Sequence, residues 1–305
     1  MILDAGAARA WLLGPEVVRD DGAVMSWSNP AHPGYPYPEI AGLWLCAFAD
    51  DPRAPAVRRW LVAQLDDDAR LGRDGVTYAF DAAVALRGLR AAREPDATLR
   101  AVAARLAADL RDGPVCGAPA PRWSASRGPH LLKCAIALQE SGIELDEAAL
   151  DLDRGALLDA RGLRLDDGTG RGVTYLHAHL YALEARLWLA GRGHAFARAQ
   201  LLDGARWTAW AQDPSGGLRA WHDGARAEGP LRADATAQAV RLWSAVDREV
   251  YAAEIARGRG FLARCQHPSG GLRYEPGSDD VNVWATIFGV QAEAWARDGA
   301  RGAPW

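Results

Sequence analysis

Lysine and asparagine are almost missing from this chain. Of its 305 residues one is lysine, Lys133, and two are asparagine, Asn29 and Asn282, although Lys and Arg together number 35. Alanine and arginine abound instead, as in a GC-rich coding sequence, so residues with AT-rich codons that persist are candidates for chemistry. Cysteine is scarce as well: Cys46, Cys116, Cys134 and Cys265 are scattered, with no Cys-x-x-Cys pair. That spacing argues against a disulfide scaffold and predicts reduced thiols in a cytoplasmic protein. No apolar run approaches the roughly 20 residues that span a bilayer, so no membrane insertion is expected. The start, Met1-Ile2-Leu3-Asp4, lacks the basic and apolar regions of a signal peptide. Neither sign of charge dominates; a net charge of −4 gives no basic surface for nucleic acid. Hydrophobic residues make up 49% of the chain, enough for the core of one large domain, read here as 1–305.

Runs of β-branched residues long enough for a sheet are absent too, and helical periodicity dominates. Breaks at Gly, Pro and Asp clusters divide the chain into about twelve helices. One series, 2–13, 55–67, 97–111, 145–158, 195–212 and 249–265, is amphipathic and arginine-rich, as an outer, half-solvated ring should be. The other series, 38–50, 78–92, 126–140, 174–191, 232–246 and 280–297, is apolar nearly all round, which suits an inner ring packed on both sides. The alternation repeats at a period of about 45 residues.

Three inner helices break their apolar pattern in the same way. Ser126, His130 and Lys133, then His177, Tyr181 and Glu184, then Asp234, Gln238 and Arg241 stand at i, i+4 and i+7, a spacing that stacks each trio on one helical face. Three such stripes predict inner helices facing one enclosed cavity. If the inner helices run parallel, the stripes form tiers: Ser126, His177 and Asp234 at the mouth, His130, Tyr181 and Gln238 below, and Lys133, Glu184 and Arg241 deepest. The deepest tier reads as structural, because buried charges must be paired and one carboxylate with two cations meets that need.

The loops carry a further repeat. Gln212-Asp-Pro-Ser-Gly-Gly-Leu218 and Gln266-His-Pro-Ser-Gly-Gly-Leu272 match, and Gln64 with Arg73-Asp-Gly-Val76 forms a degenerate copy. Each closes an outer helix with Gln and turns on Gly toward an inner one. With the run 257–271, these repeats resemble the Gln-and-Gly repeats of terpenoid cyclases and protein prenyltransferase β subunits. The stretches Gly34-Tyr-Pro-Tyr-Pro-Glu39-Ile-Ala-Gly42 and His177-Ala-His-Leu-Tyr-Ala-Leu-Glu184 look like toroid proteins of carbohydrate loci. The resemblance implies an all-α fold, a single (α/α)6 toroid or six-hairpin barrel, shared with six-hairpin glycosidases and related lyases and epimerases.

Within such a barrel the catalytic candidates are His177, Glu39, Asp81, Asp234 and Asp280. Imidazole can take or give a proton near neutral pH. Glycoside cleavage needs two carboxylates held across the bond. Aspartate and glutamate at helix starts also serve as caps and dipole partners, and for Asp234 and Asp279 the cap is the preferred reading. Candidates for substrate contact are Tyr37, Tyr78, Ser126, His130, Tyr175, Tyr181, Gln238, Asn282 and Trp284. Trp27, Tyr35, Trp221, Tyr274 and Phe288 are further flanking aromatics, and the proline-rich segment 27–38 is expected to lie as a stiff flap over the mouth. His179 points away from His177, and no convergent ligand set for a metal is spelled out; no cofactor is expected.

Three readings of function follow. The first is an enzyme on a sugar or sugar-acid unit (hydrolase, lyase or epimerase) with a small-molecule, saccharide substrate. The second, implied by the Gln/Gly repeats, is an isoprenoid cyclase. The Asp-x-Asp-Asp acid of class II cyclases and the Asp-x-Cys zinc motif of prenyltransferases are, however, absent from the sequence. The third is a non-catalytic ligand-binding toroid.

Overall fold

The computed structural model describes residues 2–73, 75–112, 115–116, 123–125, 128–143 and 173–300. Inner helices are α2 (Pro38–Phe48), α4 (Ala79–Ala91), α6 (Leu132–Glu140), α7 (Leu176–Ala190), α9 (Ala233–Asp247) and α11 (Val283–Asp298). Outer helices are α1 (Ala5–Leu12), α3 (Ala54–Val62), α5 (Asp96–Asp112), α8 (Ala195–Trp210) and α10 (Ala252–Cys265). The outer helix expected at 145–158 lies outside the described residues. Each inner helix packs against the next, and α11 closes the ring on α2. Burial divides the two series: α5 buries only Val102, Ala103, Leu106 and Leu110, one face of a helix, whereas α7 is buried from Leu176 through Arg186. The fold is an (α/α)6 toroid.

Strands are the first correction to the sequence reading. Three small antiparallel sheets stand at the mouth end of the inner helices: β1 (Trp27–Ser28) with β9 (Val281–Asn282) and β8 (Leu272–Arg273), β2 (Gly72–Arg73) with β3 (Val76–Tyr78) and β4 (Val115–Cys116), and β5 (Thr174–Tyr175) with β6 (Leu218–His222) and β7 (Ala227–Arg232). Most have two or three residues, too few for an alternating pattern to register. Four of them run straight into inner helices. Tyr78, Tyr175, Arg232 and Asn282 each end a strand in extended conformation and cap the following helix. Tyr37 holds the same place before α2.

The second correction is the helix expected at 126–140, which begins only at Leu132, after a 3-10 turn over Pro129–Leu131. Proline disfavours helical conformation in the residue before it, and Gly128 is fully extended. His130 therefore sits on a turn, and the i, i+4, i+7 argument does not hold for that stripe.

The Gln/Gly loops join neighbouring outer helices. Gln212 Nε2 donates to Gly216 O at 2.9 Å and to Glu254 O of α10 at 3.0 Å. Gln266 Nε2 donates to Gly270 O at 2.8 Å and to Asp4 O, at the start of α1, at 2.9 Å, while Gln266 Oε1 accepts from Asp4 N. The turn glycines touch the same neighbours: a Cβ on Gly216 would lie 2.2 Å from Arg257 O, and one on Gly270 2.4 Å from Ala7 O. Both have positive φ, 91° and 106°. In the degenerate copy Gln64 Nε2 donates instead to Trp60 O of the preceding helix at 3.2 Å. A threonine completes each unit. Thr236 Oγ1 accepts from Leu218 N, and Thr286 Oγ1 from Leu272 N, fixing each loop on its inner helix.

Candidate active site in the toroid cavity

A cavity of about 270 Å³ opens at the mouth of the ring. Its wall carries Glu39, His177, Asp234 and Trp284 from the second positions of α2, α7, α9 and α11, with Tyr175, Asp280 and Asn282 from the strand ends above. Trp27, Tyr35, Trp123 and Tyr274 complete the lining. Ser126, expected in this tier, lies outside the described residues; Glu39 is the group that shares the level of His177 and Asp234.

His177 Nδ1 lies 3.1 Å from Asp234 Oδ2, within ion-pair distance. Burial opposes ionisation of Asp234, yet the adjacent imidazole holds its carboxyl below the ordinary value. Asp234 is thus in the first turn of α9 but does not occupy the cap position, which belongs to Arg232. Asp279 is exposed, and the cap of α11 is Asn282, whose Oδ1 accepts from Ala285 N at 2.9 Å. Asp280 stands at the rim, where Asn29 Nδ2 donates to it at 2.7 Å and His32 Nε2 lies 3.5 Å away. These contacts, with the pairing of β1 on β9, fasten the segment 27–38 beside the mouth.

The remaining sequence candidates lie off the cavity wall. Asp81 accepts from the Tyr37 hydroxyl behind Glu39's helix start, and Tyr78 is buried at the head of α4. Tyr181, His130 and Gln238 form a buried layer. The Tyr181 ring meets His177 at 4.5 Å and Phe80 at 4.7 Å, and Trp123 covers His130 at 5.4 Å. The Tyr181 hydroxyl, both ring nitrogens of His130 and the Gln238 amide have no hydrogen-bond partner among the described residues. Burial pushes His130 down to about 3, helped by the neighbouring His177. Burial, with Glu39 and Glu184 nearby, pushes the Tyr181 hydroxyl well above its ordinary value.

Below lies an ion-paired floor. Glu184 accepts from both Lys133 and Arg241, and Arg241 also donates to Gln291. The Lys133 ammonium sits 4.6 Å from the Tyr181 ring centre. Burial lowers Lys133 to about 8 despite the opposing pull of Glu184. His179 faces outward, 3.1 Å from Thr208 Oγ1 of α8, and burial pushes it down to about 3. Among the described residues no cluster of His, Cys, Asp and Glu could hold a metal, and no helix is long and apolar enough to cross a membrane.

Trp123 is the lining residue that sequence reasoning missed. It stands on a 3-10 turn, Trp123–Ala125, and nothing in the sequence pattern distinguishes it from the other tryptophans.

No family model matches the sequence, and neither does any curated protein. Solved structures do match in fold. A variant of the type II terpene cyclase MstE from Scytonema, in complex with geranylgeranyl dihydroxybenzoate, superposes with a TM-score of 0.70 at 16% identity, covering 96% of each chain. Unsaturated glucuronyl hydrolase from Bacillus sp. GL1, responsible for glycosaminoglycan degradation, gives 0.63 at 13% identity over 97% of this chain and 96% of that one. A protein from Actinoplanes gives 0.64 at 16% identity over 96% and 98%. The chain has the α/α-toroid fold that these terpene cyclases and glucuronyl hydrolases share.

Proposed function

We propose that this chain is an enzyme acting on one ring of a saccharide, as a hydrolase, lyase or epimerase, through proton transfer at His177. With Nδ1–H turned to Asp234, Nε2 keeps its lone pair for a substrate or water proton, and the carboxylate stabilises the imidazolium that forms. Glu39 on the neighbouring wall is the second proton-transfer group. Glu39 and Asp280 also place negative charge where a ring carbon becomes electron-poor. Trp and Tyr faces along the wall suit the apolar faces of a sugar and keep water away.

One observation carries the preference for a polar substrate: the cavity wall holds Glu39, His177, Asp234 and Asp280 together, and Asp234 Oδ1 has no hydrogen-bond partner among the described residues. A water or a hydroxyl group can satisfy that oxygen. Leaving such a group unpaired costs about 1–3 kcal/mol, which a hydrocarbon ligand would do.

A cyclase acting on an isoprenoid is the second reading. The aromatic wall favours it, since Trp and Tyr faces attract cations. A thermal-shift panel of mono- and disaccharides, uronates and prenyl diphosphates separates the two, and stabilisation by prenyl diphosphates alone would overturn the saccharide reading. Once a substrate is found, His177→Ala is expected to lower its turnover by about 10²–10⁴ with the melting temperature kept. A variant with full rate would remove His177 from the mechanism.

A further inference from the structure

Resting on the saccharide reading, we propose that the cavity selects a ring bearing a protonated amine, an amino sugar, over a sugar acid or a phosphorylated ligand. Apart from His177, the titratable charge of the described wall is acidic. Glu39, Asp234 and Asp280 line it, and among the described lining residues there is no arginine or lysine. Asp234 is 2% exposed, and its Oδ1 has no hydrogen-bond partner among the described residues. A buried carboxylate oxygen with open acceptor capacity on a cavity wall calls for a donor, and a charged donor gives the stronger bond.

The described cations nearby have partners of their own, although the Nε of Arg232 and of Arg241 finds none among the described residues. Lys133 and Arg241 both bind Glu184 on the floor, with the Tyr181 layer between them and the cavity. Arg232 stacks on Tyr274 at 4.2 Å and donates to Glu275 at 2.7 Å. The helix starts around the mouth carry partial positive charge, but Glu39, Asp81 and Asp234 answer it in the first turns of α2, α4 and α9. Among the described lining residues a ligand meets chiefly carboxylate and aromatic surface, the combination that holds an ammonium through hydrogen bonds and ring faces together. A ligand carboxylate or phosphate would enter among like charges.

Isothermal titration of the full chain with glucosamine, N-acetylglucosamine, glucose, glucuronate and tetramethylammonium tests this. Glucosamine is expected to bind at least about tenfold tighter than glucose and N-acetylglucosamine, as one charged hydrogen bond implies, with glucuronate weakest. Asp280→Asn should compress the glucosamine-to-glucose ratio by about tenfold, and Glu39→Gln serves as the second variant if the rim of Asp280→Asn does not fold. Glucuronate binding as tightly as glucosamine would overturn the inference while leaving the saccharide reading in place. Tetramethylammonium binding as tightly as glucosamine, with glucose silent, would overturn the saccharide reading and the amino-sugar assignment together.

Discussion

His130 and His179 are buried imidazoles whose charged forms have lost their water. Both are pushed from 6.5 down to about 3 by burial. As pH falls below 6.5 the unfolded chain takes up these protons and the folded chain does not, so stability present above that value is lost progressively toward pH 3. Each histidine accounts for about 1.4 kcal/mol per pH unit in that window. Urea midpoints measured at about pH 7 and about pH 5 should therefore fall steeply, and His179→Asn should flatten the slope; an unchanged slope would contradict the assignment. Glu184 presents the opposite case, one buried carboxylate serving two cations. Glu184→Gln would leave Lys133 and Arg241 facing each other without a counter-charge, and a loss of about 3–5 kcal/mol is expected in denaturant unfolding. Asp234 shows why the residue scale is the hardest to read in sequence. A capping aspartate and one paired with a catalytic base occupy nearly the same place at a helix start, and only the 3.1 Å approach of His177, distant in sequence, separates them.

Among the elements, the Gln-to-Gly loops are the clearest case of sequence dictating geometry. A glutamine side chain reaches its own turn carbonyl and the backbone of the next outer helix only if the turn comes close, and the glycines permit that approach. Gly270→Ala meets both a positive φ and a backbone oxygen 2.4 Å away. It should destabilise by more than the roughly 1 kcal/mol of an ordinary Gly→Ala strain and speed hydrogen exchange in α1; exchange unchanged there would show that the loop does not hold α1. The Gln and Gly of this unit were legible because both recur at fixed spacing. Thr236 and Thr286 were not, because their partners, Leu218 and Leu272, lie across a hairpin or loop rather than at a helical interval. The same limit hid the strands: two-residue strands that end at Tyr175 and Asn282 carry no period.

At the scale of the whole molecule the ring is closed by its ends. α1 packs on α11, β1 pairs with β9, and Gln266 bonds to Asp4 in both directions. We propose that residues 1–305 form one cooperative domain. Calorimetry should give a single transition whose calorimetric and van't Hoff enthalpies agree, and two resolved transitions would reject it. Deleting α1 removes the buried Trp11 and Leu12 from beside α11 and should lower the melting temperature and expose apolar surface to a dye.

The sequence by itself determined the alternation of helices, since an outer helix needs one apolar face and an inner helix nearly all of its circumference. It also pointed to the floor, because Lys133, Glu184 and Arg241 in apolar helices need counter-charges that they can give one another. The tertiary structure decided which polar residues meet in the cavity. Pro129 displaced the start of α6, the strands lifted Tyr175 and Asn282 onto the rim, Glu39 took the level expected of Ser126, and Trp123 arrived from an unmarked position. Periodicity reports which way a side chain faces within its own helix. The depth and rotation of that helix against its neighbours follow from packing between segments far apart in the chain, and these place His177 beside Asp234.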